Sequence, residues 1–358
     1  MLLLLSSGAR PRYRDDIIRC LALPLNGELQ FRYDKRWVED DLIAEISNGT
    51  FPSGERALVL YLSADMAARK VDIVPCRFVE IRAAELVGTS CILTLRAQEF
   101  VTDVIDTTVE IKRVSAGVLP KWSSSLGGDT PRLEGKFFIR STGDVSRMAG
   151  TELAHFEATV AALAAYADFS KDGGTIFYNL KRIVDLTTDT QAFVSNRDGS
   201  FRLNGGHRYE MEVYCYAIIT ADTPVARLFA ESDLKSLEFP FGNSRVIDSR
   251  YDLKKFRFRI ASQVSAVSTA LRLRIIPEND SLVERADILV PATFAGSPFL
   301  AVLRIGLMGL GLSIPAMIAG WDKMNLGVGL LILAAGFGAA TGVVLTRLKD
   351  GDTPESVG

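Results

Sequence analysis

Histidine and cysteine are scarce in this chain, and their scarcity argues against several kinds of site. The 358 residues include two histidines and four cysteines. The cysteines are Cys20, Cys76, Cys91 and Cys215. No two of them form a CxxC pair, so their spacing argues against a zinc site. Three of the four fall in the first third of the chain, which is a poor disulfide framework, and we expect reduced, mostly buried thiols.

Motifs of common enzymes are missing as well. The sequence contains no GxSxG, no HExxH, no Walker loop and no GxGxxG that opens a helix. With two histidines, few side chains can support histidine-based acid–base chemistry. We therefore predict no catalytic residue, metal or cofactor, although an enzyme of unfamiliar type stays an alternative. The formal net charge of −2 gives no reason to expect nucleic-acid binding.

A long hydrophobic leader is absent from the start of the chain. The run in MLLLL has four leucines and no basic residue before it. A secretory signal needs an apolar stretch of about 7–15 residues, so we interpret this run as a first β-strand. The part of the chain before the tail is accordingly expected in the cytosol.

The tail differs from everything before it. From Phe299 to Gly320 the only charged residue is Arg304, and from Asn325 to Leu345 there is none. A helix of about 20 residues spans the hydrocarbon core of a bilayer, about 30 Å thick. Because only four residues separate the two stretches, we predict a transmembrane helical hairpin over 297–347, with a polar tail over 348–358. The alternative is a helical hairpin buried in a soluble core.

Residues at the ends of the predicted helices indicate orientation. Arg304 can snorkel to the headgroups on one side, and Arg347 follows the second helix. Trp321, in the turn, fits an aromatic anchor at the far interface. Positive-inside counting then predicts a two-pass protein of the inner membrane, with its N-terminal part and its C-terminus in the cytoplasm.

Small residues recur every four positions along both predicted helices. Ala316 and Gly320 share a face of the first helix, and Ala334, Gly338 and Gly342 share a face of the second. Helices in lipid associate through such close-packing stripes. The stripes fit packing within one hairpin, and they also fit association between hairpins in a homo-oligomer.

The part before the tail is predicted to be mainly β, in two modules. Residues 1–115 contain short strand patterns, among them ELQFRY, RALVLYL and TTVEIKRV, with a Gly88-containing turn in a further pair. This spacing is typical of a small β-barrel or β-sandwich. Residues 116–133 are rich in Gly, Ser and Pro and are predicted to be a linker. An early helix is expected around residues 14–21, and DLIAEI is expected to begin another.

The second module is predicted over residues 134–290. Leu153, Phe156, Val160 and Leu163 follow a helical period, which predicts one amphipathic helix covering a sheet. The segment RYEMEVYC alternates apolar and polar residues, and LEFPF, KKFRFRI and ALRLRII repeat the pattern. The module resembles an immunoglobulin-like sandwich in architecture, but it lacks the paired cysteines and the central tryptophan of antibody domains.

Two of these strand patterns place cations on their polar face. Lys255, Arg257 and Arg259 alternate with Phe256 and Phe258. In the other pattern, Arg272 and Arg274 alternate with leucines. If the two strands pair, five cations share one face, which suits a nucleotide, an anionic lipid headgroup or an acidic partner. The alternative is an ordinary solvated face balanced by Glu and Asp on neighbouring strands.

These features favour a non-enzymatic sensor and effector on the membrane. In this hypothesis, the β-modules bind a ligand or partner, the chain oligomerises, and the packed hairpins perturb the bilayer. Some bacterial antiviral effectors share this layout, which is similarity of architecture alone. The second hypothesis is a passive membrane-tethered adaptor that gathers cytosolic partners.

Overall fold

The computed structural model describes residues 1–7, 11–65, 70–123, 132–145, 149–170, 175–195, 197–218, 226–262, 265–277 and 287–296. Within these residues the chain is mainly β, with curled sheets and few helices, consistent with a β-sandwich. None of the helices in these ranges is long and apolar enough to cross a membrane. The predicted hairpin and the polar tail after it lie outside the described residues.

The N-terminal half supplies a seven-stranded sheet and three helices that precede or cover it. Its elements are β1 (Leu2–Ser7), α1 (Pro11–Ala22), β2 (Glu28–Asp34), α2 (Asp40–Ser47), β3 (Glu55–Asp65), β4 (Lys70–Val87), β5 (Ser90–Val101), α3 (Val104–Val114), β6 (Lys121–Ser123), β7 (Arg132–Glu134), β8 (Phe138–Arg140) and β9 (Ala149–Gly150). The strand order of this first sheet is β2-β5-β4-β3-β1-β8, and β9 pairs with β5. Strands β6 and β7 form a separate antiparallel pair.

The two edges of the first sheet approach each other. Val38, just beyond β2, forms a bridge with Phe138 of β8. The amide of Phe137 donates to the carbonyl of Trp37 at 2.6 Å, and the Tyr33 and Phe138 rings stack with centroids 6.1 Å apart. The sheet is therefore curled toward closure, which protects edges that would otherwise pair with other chains.

Burial on both faces explains the run of leucines at the start. Leu2 and Leu4 point into one hydrophobic cluster, and Leu3 and Leu5 point into another on the opposite face. Strand β1 lies parallel to the apolar strand β3. A strand buried on both faces has a continuous apolar sequence instead of an alternating one.

The C-terminal half of the described chain supplies two five-stranded sheets. Its elements are α4 (Leu153–Ala164), α5 (Ala167–Ser170), β10 (Ile176–Asp185), β11 (Thr190–Ala192), β12 (Phe201–Asn204), β13 (Arg208–Ala217), β14 (Ala226–Ser232), β15 (Leu237–Glu238), β16 (Ser244–Ile247), β17 (Tyr251–Ile260), β18 (Val267–Pro277) and β19 (Ile288–Ala295). The second sheet has the order β11-β10-β13-β17-β15, and the third has the order β12-β19-β18-β14-β16.

The second and third sheets bury their apolar faces together. Phe256 and Phe258 of β17 and Leu271 and Leu273 of β18 belong to one hydrophobic cluster. The Tyr178 hydroxyl of β10 donates across the cluster to the carbonyl of Leu273 at 3.4 Å. The same cluster continues into the first sheet and α1.

Several sequence expectations are confirmed. The early helix corresponds to α1, and DLIAEI forms α2. The turn containing Gly88 joins β4 to β5. The predicted amphipathic helix corresponds to α4, which buries Phe156, Val160 and Leu163, but it packs mainly on β4 and β5 of the first sheet and only in part on β10 of the second.

The prediction that TTVEIKRV forms a strand is wrong, because this segment lies in α3. The carboxylate of Asp103 accepts from the amide of Asp106 and caps the helix. Thr107, Ile111 and Val114 then fall on one buried face at helical spacing. A good cap outweighed the preference of the β-branched residues for strands.

Segment 116–133, predicted to be a linker, contributes the paired strands β6 and β7. Strands β8 and β9, which follow that segment, belong to the first sheet. The first sheet therefore recruits residues beyond the predicted boundary at residue 115. The predicted two-module division itself stays a prediction.

Candidate functional site

The outer face of the second sheet carries paired charges across β10, β13 and β17. In the antiparallel register Glu212 lies between Arg182 and Lys255. Glu210 lies opposite Arg257, and Arg208 lies opposite Arg259. Residues opposite each other in antiparallel strands are close enough for their side chains to interact.

Glu212 is the most heavily paired carboxylate of this face. Arg182 donates to it through Nε at 2.8 Å and Nη2 at 3.2 Å. The ammonium groups of Lys181 and Lys255 lie 3.2 and 3.1 Å from its oxygens. A register shift between Leu180 and Arg182 explains why consecutive residues of β10 reach one carboxylate. The Arg182 hydrogen bonds, more than any other contact, lower the pKa of Glu212 to about 2.

Glu210 repeats this arrangement one pair further along the strands. Lys255 and Arg257 donate to its two oxygens at 2.7 and 2.8 Å and lower the pKa of its carboxyl. The side chains of Glu212 and Glu210 are only 3% and 10% exposed. The four cations that hold them are 37% to 57% exposed. The carboxylates thus lie beneath their partners, and solvent meets positive charge.

Two further arginines extend this surface. Arg208 and Arg259 are exposed and directly opposite each other, and no carboxylate within the described ranges forms an ion pair with either. Glu238 of β15 is the register neighbour of Arg259 on its other side. We call the six cations together the basic face: Lys181, Arg182, Arg208, Lys255, Arg257 and Arg259.

A cleft of about 290 Å³ lies at one end of the basic face, between the first and second sheets. Lys181 and Arg182 line it from β10, and Arg77 lines it from β4. Glu99 is the only carboxylate among its lining residues in the described part of the chain. The cleft therefore has three cationic side chains against one anionic side chain.

Arg77 is a buried guanidinium at the wall of the cleft. It is 2% exposed, and it donates through Nε to the carbonyl of Gln98 at 2.8 Å. Its Nη1 donates to the carbonyls of Cys20 and Leu23 at 2.8 and 2.7 Å. Burial lowers the pKa of Arg77 to about 10, so the group stays charged at neutral pH.

Backbone carbonyls supply the hydrogen bonds to the Arg77 guanidinium, and the nearby Glu99 carboxylate also favours its charged form. No carboxylate among the described residues forms an ion pair with it, and its guanidinium stacks 4.3 Å from the centroid of the Phe100 ring. A buried charge without a counter-ion is costly unless hydrogen bonds compensate for it. The three carbonyls of Gln98, Cys20 and Leu23 hold the Arg77 guanidinium in place.

Apolar side chains complete the rim of the cleft. Phe193, next to β11, is 71% exposed, and Leu25 is also exposed. Asn179 points its amide away into the fold, where Nδ2 donates to the carbonyl of Leu21 at 2.7 Å. The cleft thus combines positive charge with exposed apolar surface, which suits an anion that carries a ring or another apolar part.

The structure unites only three of the five predicted anion-binding residues. Lys255, Arg257 and Arg259 lie on the basic face, but Arg272 and Arg274 belong to the third sheet. The predicted pairing of their strands is wrong, because β17 and β18 face each other across the core. Lys255 and Arg257 pair with Glu210 and Glu212 on the neighbouring strand, and Arg274 donates to Glu231 at 2.8 Å, so the balanced-face alternative is observed for three of the five cations.

Sequence reasoning missed Arg77, Lys181 and Arg182. The segment NLKRIVD does contain a signal, because two successive cations interrupt an apolar strand pattern. Arg77 is a lone cation in the apolar run IVPCRFV, which can mark a buried charge. The residues predicted to pack or anchor the membrane helices lie outside the described residues: Arg304, Ala316, Gly320, Trp321, Ala334, Gly338, Gly342 and Arg347.

The histidine His207 and the four cysteines, which could in principle be reactive, are held by hydrogen bonds or buried in the fold. His207 Nδ1 lies 2.6 Å from Asp185 Oδ2. Burial acts to raise the pKa of Asp185, but the His207 hydrogen bond and two backbone amides lower it overall. All four cysteines are free and buried, and burial raises the pKa of each thiol. The described residues contain no group of three or more side chains suited to holding a metal ion.

Comparison with known proteins adds no family. No protein-family model matches the chain, and no curated protein matches it. Among solved structures, it is similar to the CsuC–CsuE chaperone–tip adhesion subunit pre-assembly complex from archaic chaperone–usher Csu pili of Acinetobacter baumannii. The identity is 8%, the match covers 27% of this chain and 53% of that chain, and the TM-score is 0.20. A similarity this low supports no conclusion about function.

Proposed function

We propose that this chain is a non-enzymatic, membrane-anchored sensor and effector whose cleft binds a small anionic ligand such as a nucleotide. Ligand binding promotes association between copies of the chain, and the associated hairpins perturb the bilayer. The observation that carries the ligand-binding part is the charge of the cleft, where the buried guanidinium of Arg77, Lys181 and Arg182 outnumber the single acid Glu99 among the described lining residues.

The energetics of the cleft favour an anion. Arg77 is already desolvated and held by three carbonyls, so the cost of burying its charge is met during folding. Lys181 and Arg182 are partly exposed and share Glu212 with Lys255, so they can reorient toward a ligand. Charge-assisted hydrogen bonds from such groups are the usual way proteins hold phosphate and carboxylate.

The membrane part of the proposal is supported by the sequence. Two apolar stretches of about 20 residues, joined by four residues, match the length of two membrane-spanning helices. The positions of Arg304 and Arg347 favour an inner-membrane protein with its bulk in the cytoplasm. The small-residue stripes at Ala316 and Gly338 supply a contact through which hairpins can pack.

We also propose a finer description of the fold. The second and third sheets form an immunoglobulin-like sandwich, and α4 packs between β10 of this sandwich and strands β4 and β5 of the first sheet. The shared core and the Tyr178–Leu273 hydrogen bond between the sheets support this arrangement. The first sheet forms a small, partly closed barrel, supported by the bridge between Val38 and Phe138.

Ligand binding is tested by thermal melting of the full chain in detergent with and without millimolar ATP. A ligand at 100 times its Kd stabilises the folded state by about 2.7 kcal/mol, which raises the Tm by several degrees. We expect this rise in the wild-type chain and in Arg272→Gln, which changes a cation of the third sheet. The Lys181→Gln/Arg182→Gln variant is expected to lose it. An equal rise in all three proteins contradicts the assignment of the cleft.

The membrane part is tested in cells that express the full chain together with the anionic ligand, by measuring the entry of a membrane-impermeant dye. The proposal expects dye entry, and it expects Gly338→Leu with Gly342→Leu to abolish it, because the larger side chains separate the packed helices. Replacing the tail with an unrelated hairpin separates an effector from a passive adaptor. An adaptor keeps its function after the swap, whereas the proposed effector loses it. Permeability that is unchanged throughout refutes the effector role.

A further inference from the structure

Strand β19, the last described strand before the tail, ends at one end of the two facing sheets. Ala295, the last residue of β19, lies opposite Asn204. The amide of Gly205 donates to the Ala295 carbonyl at 3.2 Å, and the amide of Gly206 donates to the Ile260 carbonyl at 2.8 Å. The 204–207 turn and the end of β17 therefore lie beside the end of β19.

The same end carries the arginines of the basic face that form no ion pair in the described chain. Arg208 follows the turn directly, and Arg259 precedes Ile260. The two are opposite each other and exposed. Two acids of the described chain lie nearby. Asp185 is paired with His207, whose Nδ1 lies 2.6 Å from Asp185 Oδ2, and Glu238 is the register neighbour of Arg259 on β15. Like charges facing each other repel, so this pair gains from an external anion.

The position of the exit limits how far this end can lie from a bilayer. Phe299, where the apolar stretch of the predicted hairpin begins, is four positions beyond Ala295, with three residues between them. A chain of four residues spans at most about 14 Å. The negative surface potential of an anionic leaflet extends over about one Debye length, about 8–10 Å at physiological salt, so it reaches the arginines when this end lies closer to the leaflet than the maximum span allows.

We propose that the end of the second sheet formed by Arg208 and Arg259, with Arg257 behind them, docks on anionic lipid headgroups. This inference rests on the membrane anchor of the proposed function. The partner is a lipid surface because the covalent connection places this end next to the bilayer, whereas the cleft lies at the other end of the basic face. Docking fixes the orientation of the sheets and leaves the cleft accessible.

The test uses a fluorophore at this end of the full chain in vesicles. Ser262 is exposed and close to Gly206, whereas the four native cysteines are buried. Ser262→Cys is therefore labelled selectively. The vesicles contain phosphatidylcholine alone or with about a third of phosphatidylglycerol, plus a lipid that carries a quencher on its headgroup. Docking predicts at least twofold stronger quenching in the anionic vesicles, and high salt is expected to weaken it.

Matched variants assign the effect to the two arginines. Arg208→Gln/Arg259→Gln is expected to reduce quenching to the level seen with neutral lipid. The control Lys112→Gln/Arg113→Gln removes the same charge from the exposed side of α3 and is expected to change nothing. Circular dichroism checks that each variant is folded. Milder single substitutions, Arg208→Lys and Arg259→Lys, keep the charge and are expected to keep the quenching.

The outcomes distinguish this inference from the anchor itself. Equal quenching in neutral and anionic vesicles, or quenching that the double variant leaves unchanged, overturns the docking proposal while the anchor stands. If an alkaline carbonate wash releases the chain from the vesicles, the anchor fails, and the docking proposal fails with it.

Discussion

Replacing Glu212 by glutamine is expected to weaken folding and strengthen anion binding at the same time. The Glu212 carboxylate is almost fully buried and contacts Lys181, Arg182 and Lys255. Glutamine keeps the shape of the side chain but removes its charge. Three cations then share a small area with Glu210 as their only acidic neighbour on β13.

The size of the loss follows from the pKa of Glu212. The pKa is about 2 in the fold, against an ordinary value of 4.5, and a difference of about 2.5 units corresponds to about 3 kcal/mol. Solvent around the partly exposed cations screens the pairs, so we expect about 2 kcal/mol at pH 7. A lowered pKa stabilises the fold above pH 4.5, and this stabilisation fades as the pH falls toward 2. More than half of the effect should therefore be lost by pH 3.

The assay is thermal melting of the full chain in detergent at pH 7 and pH 3. About 2 kcal/mol lowers the Tm by about 4–8 °C for a domain of this size. The control is Glu231→Gln, whose carboxylate lies 2.8 Å from Arg274 and is more exposed, so its loss should cost less than about 1 kcal/mol. The reasoning is refuted if both variants melt alike at pH 7, or if the Glu212→Gln deficit is as large at pH 3.

Two further predictions concern other buried groups. Burial, more than any other effect, raises the pKa of Asp16 to about 6 from 3.8, so its folded carboxyl favours the proton and stability falls as the pH rises through that interval. Asp16→Asn is therefore expected to raise the Tm relative to wild type at pH 7.5, by the equivalent of about 1–2 kcal/mol, and to have little effect near pH 4; a variant that melts no higher at pH 7.5 contradicts this. All four cysteines are buried, so Ellman's reagent should modify none of them in the native chain and all four in guanidinium chloride; a thiol that reacts in the native chain shows that its site opens.

Local patterns predicted individual elements well, because each is decided by nearby residues. The alternation of Tyr209, Met211 and Val213 with polar residues marks strand β13, and these three side chains face the core. The turn at Gly88 is fixed by a positive φ of 58°, which glycine adopts without strain. These are signals that a few neighbouring residues carry on their own.

Sheet membership could not be predicted in the same way. Strands β17 and β18 each have one apolar face, and that pattern is the same whether two strands lie side by side or face each other across a core. The cleft has the same difficulty, because Arg77 and Lys181 are more than 100 residues apart and meet only through packing of the first sheet on the second. No spacing rule relates them.

The ion pairs of the second sheet and the proposed cleft are linked by shared cations. In the proposed binding mode, an anion in the cleft would draw Lys181 and Arg182 away from Glu212, which would be left with Lys255. Lys255 also contacts Glu210, so in this mode it would be shared by two carboxylates, and Glu210 would depend more on Arg257. Binding must therefore work against the stability that Glu212 supplies, and for this reason Glu212→Gln should change folding and affinity in opposite directions. If both fell together, the carboxylate would be part of the binding surface instead of a competitor for it.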